Sequence, residues 1–192
     1  MPHVVQPVVE TTSANSLSPP WSWGFYGMSS YGGNGGTRTV NTGGAPDFPT
    51  MSRAGVFYID SCVKMGDITD GTSNTLLFGE RSHQDPNFDA RYPIVFPGTI
   101  PLEQWGRWGF IGAPGAIGNV ALSTPVPINY QVPPGGDFNA VENRVCAFGS
   151  GHSGGANFAF ADGSVRFMSE SIPLSTLKVV STRSGGEVTG DY

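Results

Sequence analysis

Apolar side chains recur with a period of two across ANFAFADGSVRFMSES (156–171), where Phe158, Phe160, Val165 and Phe167 alternate with small or polar residues on either side of Asp162-Gly163. Such alternation marks half-buried strands, and Asp-Gly between two such runs predicts a β-hairpin that turns on a glycine of positive φ. Directly afterwards the period changes. Ile172, Leu174, Leu177 and Val180 recur at helical spacing, with Ser171 placed to cap, Pro173 in the first turn and Gly185-Gly186 closing the run. One short helix packed on the sheet is predicted there. Upstream, GVFYID (55–60) reads as a short strand. MGDITDGTSNTLLFGERSH (65–83) reads as a turn at Asp70-Gly71 leading into a strand over Thr75 to Phe78, with a short helix over 67–75 as the competing reading.

Elsewhere the periodicity dissolves. Prolines from Pro86 to Pro134 divide 84–144 into pieces shorter than a helix needs, which predicts a large elaborated loop with short strands such as QWGRWGFIG (104–112). Residues 1–50 read as an arm, because Pro2, Pro7, Pro19 and Pro20 block regular pairing and YGGNGGT (31–37) has little to bury. Trp21, Trp23, Phe25 and Tyr26 are too many rings to leave in water, so the arm is expected to pack on the body or on a neighbouring subunit. With 28 Gly and 16 Pro in 192 residues, loops must be long. The expected fold is therefore mainly β: a single antiparallel sheet or sandwich domain over 51–192, with Gly/Pro-rich loops and one short C-terminal helix, preceded by the 1–50 arm.

Charge narrows the function classes. Ten Lys and Arg stand against fifteen Asp and Glu, for a net charge of -5, and no basic run exists to neutralise a row of phosphates. Nucleic acid is not an expected partner. No window holds the ~18 apolar residues of a membrane span, and residues 1–20 have neither the charged nor the apolar region of an export signal. Cys62 and Cys146 can form one bridge or remain two thiols; spacing alone leaves both open.

Two stretches carry a family resemblance. DITDGTSNTLLFGERS (67–82) and FGSGHSGGANFAFADGSVRFMSESI (148–172), in which His152 precedes Asp162-Gly163 by nine intervening residues, resemble the planctomycete-type family of prepilin-like proteins with a domain of unknown function. SYGGNGG (30–36) and STRSGGEV (181–188) are similar to the same pattern. The resemblance implies a β-rich globular part of a pilin or pseudopilin-like subunit, located outside the cytoplasm, at the cell surface or in the periplasm. The family's cleavage motif and long apolar helix have no counterpart here, so the resemblance extends to the globular portion alone. A structural or assembly role as a homo-oligomer follows as the leading expectation, and that resemblance brings no reaction with it.

Candidate chemistry is sparse. Glu80 follows an apolar strand, and a pair such as Glu80 with Asp162, assisted by His152, would suit glycoside hydrolysis if the carboxylates stood ~5–10 Å apart. The plainer alternatives are that Asp162 makes its turn, His152 bonds a loop, and Glu80 pairs with Arg81 or Arg166. A carbohydrate ligand, with or without chemistry, would use Trp105, Trp108 and His83, since flat rings stack on the apolar faces of pyranoses; packing in the core or against a subunit is the plainer reading of the tryptophans. Asp67 and Asp70 lie in an oxygen-rich loop that can hold Ca²⁺, although nothing in the sequence requires a cofactor and the helix-loop-helix Ca²⁺ pattern is absent. Gly-His-Ser-Gly-Gly (151–155) matches G-x-S-x-G in spacing, but a hairpin follows it instead of the helix that motif needs.

Overall fold

A computed structural model describes residues 8–11, 24–38, 52–95, 102–106 and 116–187. Strands β1 (Val8–Thr11) and β2 (Gly24–Gly27) form an antiparallel pair. The main sheet comprises β3 (Tyr31–Asn34), β4 (Leu76–Glu80), β5 (Ala121–Leu122), β6 (Gly155–Phe160) and β7 (Val165–Ser169), in the order β5-β3-β4-β6-β7. Three helices accompany it: α1 (Pro86–Val95), α2 (Phe138–Cys146) and α3 (Leu174–Val180).

The expected hairpin forms. β6 and β7 pair antiparallel about the Asp162-Gly163 turn, where Gly163 takes φ +86. Leu76, Ala156, Phe158, Phe160 and Met168 cover one face of the sheet and pack with Leu122, Phe148, Leu177 and Val180 in the main core. The helix expected after the hairpin forms over Leu174–Val180 and seats its Leu177 and Val180 on that core. Its N-cap position is Pro173, and the Ser171 hydroxyl lies against the Ser169 hydroxyl at 2.8 Å instead of capping.

Three expectations need correction. First, the sheet is mixed: β5 runs parallel to β3 while the other pairs are antiparallel. A parallel neighbour requires a long connection, and the chain between Asn34 and Ala121 supplies it. Second, "mainly β with one helix" understates the helices, because 84–144 contains both α1 and α2. Asp85 caps α1 by accepting from the Asn87 and Phe88 N–H groups at 3.1 and 3.0 Å, and Pro86 occupies the first helical position, where its missing N–H costs nothing. Asp137 likewise caps α2 through the Ala140 N–H at 2.9 Å. These helices bury Phe88, Leu102, Trp105, Val132, Val141 and Val145 in a second core. Third, 55–60 is not a strand: the Val56 and Phe57 N–H groups both bond the Asn34 carbonyl, and the chain turns at Asp60 with φ +59. Residues 102–104 of the loop form a 3-10 turn, while 107–115, with Trp108, lie outside the described residues.

The 67–83 segment combines parts of both readings. Two 3-10 turns, Met65–Asp67 and Thr72–Asn74, replace the competing helix and lead into β4. Within the expected arm, Tyr31–Asn34 is an interior strand of the main sheet. Its glycines permit close packing: a Cβ on Gly33 would stand 2.6 Å from the Phe57 ring. Asn34 donates to the Leu76 and Ser181 carbonyls, both at 2.9 Å, and so ties β3 to β4 and to the end of α3. The Trp21 and Trp23 part of the arm lies outside the described residues.

Candidate functional site

The face of the sheet turned away from the main core is laid out by register. Directly paired residues share a face, so Gly33, Phe78, Ala159 and Val165 form one row across four strands. The pairing of Tyr31 with Glu80 and of Asn157 with Phe167 sets a second row, Tyr31–Glu80–Asn157–Phe167, closed at its centre by hydrogen bonds between Glu80 and Asn157. Four large apolar side chains on these rows are exposed: Tyr31 at 54%, Phe78 at 36%, Val165 at 68% and Phe167 at 53%. Phe57 packs on Phe78 with ring centroids 4.8 Å apart.

Glu80 is the buried polar centre of this face. One carboxylate oxygen accepts from the Asn157 N–H at 2.6 Å and the Asn157 side-chain amide at 3.2 Å; the other lies 3.2 Å from His152 Nε2. The Glu80 carbonyl also accepts from the Gly149 N–H at 2.9 Å. Glu80 is therefore a staple between β4, β6 and the 149–154 loop. That loop is folded by its own polar groups: the Ser150 hydroxyl donates to the Gly155 carbonyl at 2.6 Å and accepts from the His152 N–H at 3.0 Å, while the Asn129 side chain accepts from the Ser150 N–H at 2.8 Å. The His152 side chain remains 58% exposed.

The structure brings Glu80 and His152 together and leaves Asp162 apart. Asp162 sits at the hairpin tip, its N–H bonded to the Thr72 carbonyl and its carboxylate accepting from the Ser164 N–H at 2.8 Å. Five residues of extended chain separate it from Asn157, roughly 16 Å at the usual rise per residue. That exceeds the ~5–10 Å that paired-carboxylate hydrolysis uses. The expected pairing of Glu80 with Arg81 is also absent. Arg81 points to the opposite side, where its guanidinium donates to the Val145 carbonyl at 3.2 Å and to the Gly118 carbonyl, and burial pushes its pKa down to about 10. Successive strand residues face opposite ways, and this divides the two neighbours.

The remaining candidates are mostly interior. Trp105 is 7% exposed within the second core, and His83 is 5% exposed. Neither ring offers the solvent-facing surface on which a sugar stacks. The Asp67 carboxylate accepts from the Lys64 N–H at 2.8 Å. Asp70 accepts from the Thr182 hydroxyl at 3.1 Å and from the Gly185 and Gly186 N–H groups at 2.6 and 2.9 Å, which fastens the segment after α3. Among the described residues no three His, Cys, Asp or Glu side chains group as a metal site. Cys62 is exposed and Cys146 buried, and the two form no disulfide. No helix of the described residues is long and apolar enough to cross a membrane.

A family model described as a protein of unknown function, DUF1559 (SBP_bac_10), matches residues 6–175. The chain belongs to the DUF1559 family. No curated protein and no solved structure matches it. The match spans both the Glu80–His152 staple and the open sheet face of this DUF1559 protein.

One pair escaped the sequence reading. Arg144 Nε donates to Asp85 Oδ2 at 3.0 Å with both side chains almost fully buried, and the same oxygen accepts from the Val132 N–H at 2.8 Å, which leaves Oδ1 to cap α1. Arg144 also donates to the Ser82 and Gln84 carbonyls at 3.2 and 3.1 Å. The available signal was Asp85-Pro86, a cap followed by a first-turn proline; the partner at Arg144 has no such local mark.

Proposed function

We propose that this DUF1559 protein is a structural subunit of an extracytoplasmic assembly, resembling the globular part of a pilin or pseudopilin-like protein and associating with other copies of itself. The observation that carries the reading is the exposed apolar row structure of the open sheet face, with Tyr31, Phe78, Val165 and Phe167 in water. Apolar side chains grouped on one face of a sheet, with a polar staple between them, are typical of an interaction surface. Glu80, Asp70, Asp85 and Asp162 support it further, since each carboxylate is engaged in holding the fold.

Sedimentation velocity over a wide concentration range tests the proposal. The expected result is concentration-dependent association that weakens when Tyr31 and Phe78 are both replaced by Ser. A monomer that persists near millimolar concentration overturns it.

A second reading is sugar binding without chemistry, favoured by the Tyr31–Glu80–Asn157–Phe167 row. It sets exposed rings at either end of a polar centre with His152 beside it. Calorimetric titration with oligosaccharides checks this: binding lost in Tyr31→Ala and Phe167→Ala supports it, and absence of heat with a panel of hexose and amino-sugar oligomers removes it.

A further inference from the structure

We infer that the Asn157 amide and the His152 imidazole, held by Glu80, bind a primary ammonium group, carried by an oligomer of a deacetylated amino sugar along the Tyr31–Glu80–Asn157–Phe167 row. This names the ligand class of the sugar-binding reading and rests on that reading. The hydrogen bonds already made at the centre of the row decide what it can still offer. An ionised carboxylate only accepts. Glu80 therefore takes the Asn157 backbone N–H at 2.6 Å, the amino side of the Asn157 amide at 3.2 Å and the protonated Nε2 of His152 at 3.2 Å. That fixes the amide with Oδ1 on the side away from the carboxylate, and it leaves a neutral imidazole with its lone pair on Nδ1. The side-chain donors are spent on Glu80, and acceptors remain. A ligand that meets both must donate.

The groups that hold Glu80 are also electrically neutral. Neither Asn157 nor a neutral imidazole cancels the carboxylate charge, and the neighbouring cation, Arg81, points to the opposite side onto the Val145 and Gly118 carbonyls. The centre keeps a net negative charge at 11% side-chain exposure, where water screens it less than at an open site. Glu170 adds a second carboxylate beside the same loop: its N–H bonds the Gly154 carbonyl and its side chain accepts from Asn129 at 2.7 Å. A hydroxyl group satisfies the acceptors, whereas an ammonium satisfies the acceptors and the charge together.

The residues on either side choose the frame that carries the ammonium. Tyr31 and Phe167, 54% and 53% exposed among the described residues, stand at the two ends of the row. Four strands at the usual spacing set them about 14 Å apart. Their faces stack on pyranose rings and also attract a cation. The His152 loop is fixed through Ser150 and Asn129, so the imidazole is presented in one orientation, and its neighbours Gly151, Ser153 and Gly154 are small. An oligomer with a sugar ring at each end and an amine between them matches this order; a single sugar covers one end only.

Calorimetric titration of the full chain with oligomers of glucosamine, N-acetylglucosamine and glucose of equal length tests the assignment. Expected is binding of the glucosamine oligomer about tenfold tighter than that of the other two. Glu80→Gln should abolish this preference with unchanged circular dichroism; His152→Ala, which leaves the strands untouched, should reduce it even if Glu80→Gln fails to fold. Equal affinity for the three oligomers, or a preference that survives both variants, overturns the ammonium assignment and leaves sugar binding standing. Absence of heat from all three overturns both. Binding of Nα-acetyl-lysine amide as tight as that of the glucosamine oligomer overturns the sugar frame. The ¹⁵N spectrum of His152 at neutral pH is an independent check: Nε2 protonated and Nδ1 bare is expected, and the reverse tautomer removes the acceptor and with it the inference.

Discussion

The two faces of the main sheet are built from the same strands and nearly the same residue types, yet they behave oppositely. On one face Leu76, Phe158, Phe160 and Met168 are buried beneath α3. On the other, Phe78, Val165 and Phe167 are exposed and surround a buried carboxylate stapled to a histidine loop. The difference shows that hydrophobicity marks where a strand is, whereas its environment is set by what packs over each face. The covered face holds the core together, whereas rings of the open face stand in water.

That comparison is sharpened first on the covered face. Phe158→Ala and Phe160→Ala should each lower the unfolding free energy by about 3–5 kcal/mol, read from urea denaturation, because the ring leaves a cavity. A cost below ~1 kcal/mol for either would show that the two faces are not energetically distinct. Next comes the buried pair between the helices. Arg144→Leu should cost about 3–5 kcal/mol by leaving Asp85 uncompensated, and Asp85→Leu with Arg144→Leu together should recover part of it.

Glu80→Ala is intermediate, at about 1–3 kcal/mol, since it strands the Asn157 amide groups at the centre of the open face. His152→Ala should cost less, about 0.5–1 kcal/mol, because its ring is half in water. If His152→Ala instead exceeded Glu80→Ala, the loop and not the sheet would be the principal beneficiary of the staple. Smallest in stability are Tyr31→Ser and Phe78→Ser, each expected within about 0.5 kcal/mol of the parent, while their effect should appear in sedimentation. Replacing Phe78 also removes its contact with Phe57, so it should be the costlier of the two.

Much of the C-terminal third was legible in the sequence. The hairpin and α3 are local: period-two alternation, an Asp-Gly turn and a 3.6-residue repeat are properties of neighbours in the chain. The 84–144 region misled because proline density was read as broken structure, although Asp85-Pro86 is a helix start and Asp137 a cap. The candidate site divided along the same line. The hydrolysis alternative set His152 with Asp162, yet the turn at Ser150 and the carboxylate of Glu80 draw it to the other end of β6. Trp105 and His83 were named as ligand-facing rings; both are buried, Trp105 among the side chains of α1 and α2, which the pattern did not show.

By itself the sequence determined the elements whose causes are short-range: the Asp162-Gly163 turn, the alternating runs on either side of it, and the one helix that follows them. Tertiary structure alone decided which face of each strand is wet, that β5 returns parallel to β3, that Asp85 meets Arg144, and that Glu80 meets His152 in place of Asp162. The physical reason is range. Turn and periodicity preferences act between residues a few positions apart, whereas the pairing of Glu80 with His152 or of Asp85 with Arg144 joins residues 72 and 59 positions apart, and depends on register and packing that no local pattern encodes.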